Sequence, residues 1–403
     1  MTFKVKTKGQ IEGENLLVPK LRFKEFKEEW KFKRLKEISS DISYGMNSAS
    51  TDFDGINKYI RITDIDENSS LYINDPVSPL DKLDDKFLVK ENDILFARTG
   101  ASTGKTYLYN KNDGKMYFAG FLIRANIKKQ YNSKFIFSQT KLRKYNNWIK
   151  IMSMRSGQPG INSVEYGSYI FSITDIEEQE KIANFLSLLD KKIELQQQKI
   201  EALKIYKRGL INKLYTSLDC SEVQIKAIGK VITGTTPSKD NLSYWSNGTI
   251  VWVTPSDITE FKNISDSQIH LTPQGLNAGR KLPKNTLLIT CIASIGKNAI
   301  LKVDGSCNQQ INAIIPYSDY DIDFLYYLFE YKKSYMQSIA GTSATSIINK
   351  SSFEKILLKI PNISIQKNIA KNLSTIDYKI EIQQHLLDRL FTLKKSLLQQ
   401  MFI

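Results

Sequence analysis

Apolar residues recur along the chain in two long helical patterns, and these two segments are copies of each other. Ile173 aligns with Ile360, and residues 173–214 match residues 360–401 without a gap, at an offset of 360 − 173 = 187 residues. In both copies the apolar spacing alternates between four and three, which is the heptad pattern of a helix that packs against a partner helix. The predicted seam residues are Ile182, Leu186, Leu189, Ile193, Ile200, Leu203, Leu210 and Leu214 in the first copy, and Ile369, Leu373, Ile376, Ile380, Leu387, Leu390, Leu397 and Met401 in the second.

Polar residues interrupt the two seams at matching places. Gln196 matches Gln383, and Lys207 matches Lys394. Polar seam residues fix helix register at some cost in stability. Thr174-Asp-Ile-Glu177 is typical of a capping box at the start of the first helix. Each seam is roughly 50 Å long at about 1.5 Å per residue. We therefore predict that the two helices pack on each other as an antiparallel coiled coil with pseudo-twofold symmetry.

The segments before the two helices are duplicated more loosely. Thr63-Asp64-Ile65 resembles Ser256-Asp257-Ile258, and Ala101–Lys105 resembles Ala293–Lys297. Short β-branched runs such as Ile250–Val253 and Thr286–Thr290, separated by Gly, Asn, Asp and Ser, predict strands and turns of a mixed α/β domain. The predicted organisation is an N-terminal lead-in (1–30), a first domain (31–173), a first long helix (174–217), a second domain (221–361) and a second long helix (362–403).

Composition favours a globular protein with a polyanionic partner. Hydrophobic residues make up 41% of the chain, which is enough for packed cores. Lys and Arg number 57 against 42 acidic residues, and a surplus of +15 favours nucleic acid as a partner. A solvated basic surface is the alternative. Apolar runs are too short for a membrane span, the start has no signal-peptide core, and the three cysteines form no paired motif, so we expect a cytoplasmic protein.

Residues for catalysis or metal binding do not occur at the spacing that such sites need. Gly100-Ala-Ser-Thr-Gly104-Lys105-Thr106 resembles a phosphate loop, but it has three residues between the glycines where the motif needs four. The two histidines, His270 and His385, have no Cys or His at ligand spacing. No Asn-Pro-Pro or Asp-Pro-Pro loop of an amino-methyltransferase is present. We expect a chain that is not an enzyme and holds no metal or cofactor of its own.

The order and duplication of local motifs resemble the specificity subunits of type I restriction-modification systems. Pro19-Lys-Leu-Arg-Phe23 is similar to that family's lead-in to the first domain. Gly234-Thr-Thr-Pro-Ser238, followed by Trp252–Ile258, resembles a frequent target-recognition pattern, and Gly341-Thr-Ser343 resembles the exit into the second helix. The similarity covers nearly the whole chain. The first domain departs from the pattern, because Tyr44-Gly-Met-Asn47 stands where the second has Gly234-Thr-Thr-Pro237.

This resemblance implies that each domain reads one half of a split double-stranded DNA target. It also implies that the helices set the gap and carry two methyltransferase subunits, and that two motor-nuclease (restriction) subunits join for restriction. S-adenosylmethionine, ATP and Mg would then belong to the partner subunits. Two other classes stay open: a free-standing sequence-specific DNA-binding regulator, and a scaffold without DNA contact. Co-purification with a methyltransferase would separate the specificity subunit from both.

Candidate DNA contacts follow from side-chain chemistry and placement in turns. Lys and Arg at phosphates supply affinity, and polar side chains at base edges supply specificity. An ordinary turn or surface role is the alternative for each candidate. The bulky Trp245 and Trp252 are predicted to be core. The candidates are Arg98, Ser102, Lys105, Arg155 and Gln158 in the first domain, and Thr235, Lys239, Tyr244, Ser256, Ser294, Lys297 and Gln310 in the second.

Overall fold

The chain forms two compact units, and both long helices contribute to each of them. The first unit contains residues 1–195 and 386–403, and the second contains residues 196–385. Each unit therefore combines one α/β domain with part of either helix. The computed structural model describes residues 3–5, 17–67, 69–154, 157–340 and 346–403.

Short strands and short helices make up the first domain, and a long helix follows it. The strands are β1 (Phe3–Val5), β2 (Leu21–Phe23), β3 (Lys31–Arg34), β4 (Ser39–Tyr44), β5 (Ser50–Asp52), β6 (Lys58–Ile60), β7 (Val77–Pro79), β8 (Asp93–Ala97), β9 (Thr106–Leu108), β10 (Met116–Phe118), β11 (Leu122–Ile127) and β12 (Ile170–Ile173). The helices are α1 (Leu35–Ile38), α2 (Ser133–Gln139), α3 (Arg143–Met152), α4 (Ser163–Ser168) and the long α5 (Ile176–Thr216).

A four-stranded antiparallel sheet in the order β4-β11-β8-β9 lies at the centre of this domain. Strand β8 is buried along its whole length. Ile94 and Phe96 join one buried cluster, whereas Leu95 and Ala97 join another. Successive side chains of a strand point to opposite faces, so both faces of the sheet are covered.

The second domain is also built from short strands and short helices, and a second long helix follows it. Its strands are β13 (Glu222–Gln224), β14 (Gly229–Thr233), β15 (Ile250–Val253), β16 (Asn263–Ile264), β17 (His270–Leu271), β18 (Thr286–Thr290), β19 (Asn298–Leu301), β20 (Gly305–Cys307), β21 (Ile311–Pro316) and β22 (Leu357–Lys359). Its helices are α6 (Ile225–Ile228), α7 (Pro273–Ala278), α8 (Ile322–Ile339), α9 (Lys350–Glu354) and the long α10 (Ile363–Met401).

Strand order shows that the two domains share one topology. The second sheet has the order β14-β21-β18-β19-β16, so four of its strands take the places of β4, β11, β8 and β9. The antiparallel pair β13–β22 corresponds to β3–β12, and the parallel pair β15–β20 corresponds to β6–β10. The sequence-based predictions of strands at Ile250–Val253 and Thr286–Thr290 are confirmed.

A buried glutamine ties each long helix to its domain in the same way. Gln179 donates through Nε2 to the carbonyl of Thr174 at 2.6 Å and accepts the N–H of Asn132 at 3.0 Å. Gln366 donates to the carbonyl of Pro361 at 2.8 Å and accepts the N–H of Asp321 at 2.9 Å. All four partners are backbone groups, so these hydrogen bonds do not require particular side chains in the domain.

A buried ion pair anchors the segment before the first domain to α5. Arg22 donates through Nε and one NH2 group to the two carboxylate oxygens of Glu178, each at 2.8 Å. Trp30 donates through Nε1 to the same carboxylate at 3.1 Å, and the Thr174 hydroxyl donates to it as well. The capping box predicted at Thr174–Glu177 is therefore wrong, because α5 begins at Ile176 and the Thr174 hydroxyl bonds Glu178 instead.

Replacing Glu178 with Ala should destabilise the protein by about 3–5 kcal/mol, because the buried guanidinium of Arg22 loses its counter-charge. Glu180→Ala is the matched control, since this carboxylate lies exposed on the same helix. It should change stability by less than about 0.5 kcal/mol. Urea unfolding of the full chain, followed by circular dichroism, measures both variants. Equal midpoints for the two would show that the buried pair contributes little.

In the first unit, the start of α5 lies beside the end of α10. Ile182 and Leu186 share a buried cluster with Met401. Asp190 of α5 forms an ion pair with Lys394 of α10.

In the second unit, the end of α5 lies beside the start of α10. Ile211 shares a buried cluster with Leu373. Lys207 Nζ lies 2.5 Å from Asp377 Oδ1, and this pair is the repeat equivalent of Lys394 with Asp190. The lysines that interrupt the seams therefore each pair with an aspartate of the other helix in the same unit.

Burial of the seam positions changes along the helices. Near the end of α5 the buried residues are Ile211 and Tyr215, each one position after the predicted seam residues Leu210 and Leu214. A straight helix drifts by about 20° per heptad relative to a strict seven-residue repeat, so its buried face moves along the sequence. Leu398 is buried in the last turn of α10. Of the predicted seam residues, those buried are Ile182, Leu186, Leu189, Ile193, Ile200, Ile369, Leu373, Ile376, Leu387, Leu390 and Met401, and those half-buried are Leu203, Leu210, Leu214, Ile380 and Leu397.

Candidate nucleic-acid interface

Equivalent loops meet at one end of the central sheet in each unit. The Arg98 N–H donates to the Phe121 carbonyl at 3.0 Å, and the Cys291 N–H donates to the Gln310 carbonyl at 2.8 Å. These bonds join the loop after β8 or β18 to the turn before β11 or β21. The two units thus hold their loops with the same backbone hydrogen bonds, although the side chains differ.

Glycine at the exit from β4 and from β14 is required by close backbone packing. A β-carbon at Gly45 would overlap the carbonyl of Ala119, and one at Gly234 would overlap the carbonyl of Asn308. The Gly45 N–H donates to the Leu122 carbonyl at 3.2 Å, and in the second unit the Gly234 N–H donates to the Ile311 carbonyl at 2.9 Å. The sequence-based match of Tyr44 with Gly234 is therefore wrong by one residue. Gly45 is the equivalent of Gly234, and the first domain keeps the turn.

The loop after the central strand ends on a glycine in both units. Gly104 and Gly296 have left-handed φ angles of 93° and 81°. The Gly104 N–H donates to the Ala97 carbonyl at 3.0 Å, and the Gly296 N–H donates to the Thr290 carbonyl at 2.9 Å. The strand β9 or β19 follows, and not a helix. A phosphate loop needs a helix N-terminus after the glycines, so this resemblance does not extend to the structure.

Among the first-domain candidates, Arg98 has the most suitable geometry. Its guanidinium lies 4.8 Å from the centre of the Tyr44 ring and donates to the Gly120 carbonyl at 3.3 Å. Within the described part of the chain, no carboxylate pairs with Arg98. This cation is therefore held in place and stays available for a phosphate or a base.

The other first-domain candidates lie around the same loop. Ser102 is half-buried in a 3-10 turn that begins at Gly100. Lys105 is half-buried, and its Nζ lies 3.4 Å from the Ile65 carbonyl. Gln158 is exposed, and its amide lies over Gly100. Arg155 lies outside the described residues.

Three second-domain candidates line one groove of about 530 Å³: Lys239, Ser256 and Gln310. The indole of Trp252 forms part of the groove and donates to the Thr235 carbonyl at 3.1 Å. Asn308 Nδ2 donates to Gln310 Oε1 at 3.0 Å and so orients that amide. The groove thus combines amide, hydroxyl and ammonium groups, which are the donors and acceptors that read base edges and bind phosphates.

The remaining second-domain candidates do not line this groove. Thr235 precedes the lining residue Thr236, and its buried hydroxyl has no hydrogen-bond partner among the described residues. Tyr244 ends a 3-10 turn that begins at Leu242. Ser294 is half-buried and Lys297 is exposed on the loop after β18.

Some side chains at these surfaces were missed by the sequence analysis. Gln268 and Gln309 line the second-domain groove, and the run Asn308-Gln309-Gln310 gave a visible signal of clustered amides. Tyr44 and Phe121 are 40% and 59% exposed beside Arg98. Aromatic residues in strand-rich segments are usually core, so no local pattern marked them.

The prediction that the tryptophans of the second domain are core is confirmed for Trp252, which is buried. Trp245 is half-buried and packs edge-on against Trp252 with ring centres 5.0 Å apart.

Cys291 occupies the position of Arg98, and burial raises the pKa of its thiol to about 12. A neutral buried thiol is not a nucleophile, so this position supplies packing in the second unit.

Within the described residues, no group of three His, Cys, Asp or Glu side chains could hold a metal ion. None of their helices combines the length and the apolar character needed to cross a bilayer.

Known proteins resemble this chain along nearly its whole length. Residues 27–204 and again 218–391 match the family described as type I restriction modification DNA specificity domain. The specificity subunit of the type I restriction enzyme MjaIX of Methanocaldococcus jannaschii is 35% identical over 164 residues, which cover 39% of this chain and 38% of that protein. The chain thus matches about two fifths of that relative's length.

Longer but weaker similarity extends to other proteins. The HindI specificity subunit of Haemophilus influenzae is 23% identical over 426 residues, covering 84% of this chain and 91% of that protein. The crystal structure of a type I restriction-modification system S subunit from M. genitalium has the same fold, with a TM-score of 0.58 and 16% identity over 96% of this chain and 99% of that one. Because the family match is itself duplicated and spans most of the sequence, the chain belongs to the type I restriction modification DNA specificity family.

Proposed function

We propose that this chain reads a two-part double-stranded DNA target for a type I restriction-modification enzyme. Residues 31–173 read one half of the target, and residues 221–361 read the other. The observation that carries the proposal is the duplicated loop set. Both units present the same hydrogen-bonded backbone, with Arg98 and Phe121 in the first unit where Cys291 and Gln310 stand in the second. The same backbone with different side chains suits two different half-targets.

The long helices form the antiparallel coiled coil that sets the gap between the halves. Gln196 donates to the Gln383 carbonyl at 2.8 Å, so a residue contacts its own repeat equivalent. Lys207 with Asp377 and Lys394 with Asp190 are ion pairs of exchanged equivalents. Contacts of this kind are what a pseudo-twofold axis between two antiparallel helices produces. They support the proposal that the paired helices set the gap.

Partner subunits supply the chemistry. Two methyltransferase subunits dock on the helices and nearby surfaces, and two motor-nuclease subunits join for restriction. S-adenosylmethionine, ATP and Mg bind to these partners, and the assembly works in the cytoplasm. Specificity subunits of type I systems are non-catalytic, so the prediction that this chain is not an enzyme is confirmed by its family.

Exposed apolar residues on the helices support a docking role. Leu195 and Ile382 are repeat equivalents and are 52% and 44% exposed, and the equivalents Tyr206 and Leu393 are also exposed. Repeated apolar exposure along a helix is typical of a protein-binding surface. A free-standing DNA-binding regulator would have no need of such a surface, so this observation favours the specificity subunit.

The assembled complex should bind DNA with a steep dependence on salt, because each neutralised phosphate releases a counterion. With six or more phosphate contacts, affinity should fall about a thousandfold between roughly 50 and 200 mM salt. Fluorescence anisotropy on a duplex that carries the target measures this. In parallel, methylome sequencing should find a bipartite motif for the complex and no methylation by the chain alone. A salt-independent affinity, or no co-purification with a methyltransferase, would contradict the proposal.

A further inference from the structure

An exposed aromatic side chain stands at the turn before β11. The Phe121 side chain is 59% exposed, although phenylalanine is usually buried. Its carbonyl accepts the Arg98 N–H at 3.0 Å. The N–H of the adjacent Gly120 donates to the Met46 carbonyl at 2.7 Å. The Gly120 carbonyl accepts a hydrogen bond from the Arg98 guanidinium at 3.3 Å. The turn is thus held on both sides, so the exposure of the ring is a property of an ordered loop.

Groups beside Phe121 suit a nucleic acid. The Arg98 guanidinium is positioned by the Tyr44 ring, and the Tyr44 hydroxyl accepts the Ser163 N–H at 3.0 Å. Among the described residues, no carboxylate lies within ion-pair distance of Arg98. An oriented cation next to an exposed ring offers a phosphate contact and an apolar base contact on one surface.

Gln310 occupies the equivalent position in the second unit. The Ile311 N–H donates to the Asn308 carbonyl at 3.2 Å, and the Leu122 N–H donates to the Ala119 carbonyl at 2.8 Å. The two turns are therefore closed by the same hydrogen bond. An amide at this place can bond both edge groups of an adenine, whereas a phenyl ring can make apolar contact with the methyl group of a thymine. The same backbone position therefore carries two different kinds of base recognition.

We infer that Phe121 is a specificity-determining residue of the first half-target and contacts a thymine methyl group there. Gln310 is its counterpart for a base of the second half-target. The inference rests on the proposed function, and it adds the residue and the base feature that the first domain reads.

The test uses the full chain assembled with its methyltransferase subunits. Methylome sequencing first defines the target of the wild-type complex. Phe121→Ala should then relax one thymine position of one half-target, with a loss of discrimination of about tenfold, while the other half stays unchanged. Phe32→Ala is the matched control, because Phe32 is also exposed (49%) but lies on β3, which pairs with β12 and is not part of the central sheet. Its motif should equal that of the wild type.

A duplex with uracil in place of that thymine isolates the methyl group. The wild-type complex should bind it about fourfold more weakly, as expected for one lost methyl contact. The Phe121→Ala complex should bind both duplexes equally, and Phe121→Leu should keep part of the preference. If Phe121→Ala keeps the wild-type motif and the wild-type response to uracil, the inference is wrong and the proposed function stands. If the wild-type complex has no bipartite motif, the proposed function itself fails.

Discussion

Exchange of residues 221–361 for the equivalent segment of another specificity subunit should change one half of the methylated target and leave the other half as it was. The domain is held to α10 through Gln366, which bonds the carbonyls of Asp319 and Pro361 and the N–H of Asp321. These partners are backbone groups, so a foreign domain of the same fold can supply them. The first unit keeps its own loops and its own joint at Gln179.

The exchange has one foreseeable weak point. Besides the apolar packing, Tyr327 and Lys262 of the second domain hydrogen-bond α10: the Tyr327 hydroxyl donates to Asp377 at 2.5 Å, and Lys262 Nζ donates to the Ser374 hydroxyl at 2.9 Å. A donor domain that carries Tyr and Lys at these places keeps both contacts, whereas one without them leaves Asp377 with Lys207 as its partner. The first kind of donor is therefore the better choice, and the second is an informative comparison for stability.

Methylome sequencing of cells that express each chimera with its methyltransferase gives the outcome directly. The reciprocal exchange of residues 31–173 should alter the opposite half. If either exchange changes both halves together, the two domains do not read DNA independently and the modular proposal is wrong.

The duplicated helices could be predicted because their signal is periodic and local. The 187-residue offset places Gln196 opposite Gln383, and these residues are hydrogen-bonded in the structure. Strands such as β15 and β18 were equally visible, since each is a short apolar run bounded by turn residues.

The candidate interface was less accessible to sequence reasoning. Loop residues are paired by backbone hydrogen bonds that side-chain patterns do not encode, so Tyr44 was matched to Gly234 instead of Gly45. An exposed aromatic residue such as Phe121 belongs to no apolar stripe and leaves no periodic signal. Arg98 and Gln310 were predicted from the chemistry of their side chains. That chemistry does not show that Arg98 lies beside an exposed ring or that Gln310 lines a groove.

Extension of both long helices by one heptad should widen the gap between the half-targets without changing the bases read. The design places a copy of residues 190–196 after Gln196 and a copy of residues 377–383 after Gln383. In an antiparallel pair the two inserts then face each other, and every existing contact on either side is retained. Gln196 then lies opposite the copied glutamine of α10, and Gln383 lies opposite the copied glutamine of α5. The extended coiled coil therefore contains two glutamine pairs in place of one.

The expected change follows from the geometry of the two helices and of DNA. Seven residues keep the seam in register and add about 10 Å at roughly 1.5 Å per residue. With about 3.4 Å of rise per base pair, the gap should grow by up to about three base pairs. The measurement is the methylation motif of the extended complex.

A single insertion is the control that distinguishes a ruler from a tolerant linker. Seven extra residues in α5 alone would leave α10 one heptad short. Either Lys207 would lose its register with Asp377 or Asp190 would lose its register with Lys394, together with the adjoining apolar contacts. Stability or methylation should then fall, while the double insertion restores both with a wider gap. A doubly extended protein that folds, methylates DNA and keeps its original gap would show that the helices do not set the spacing.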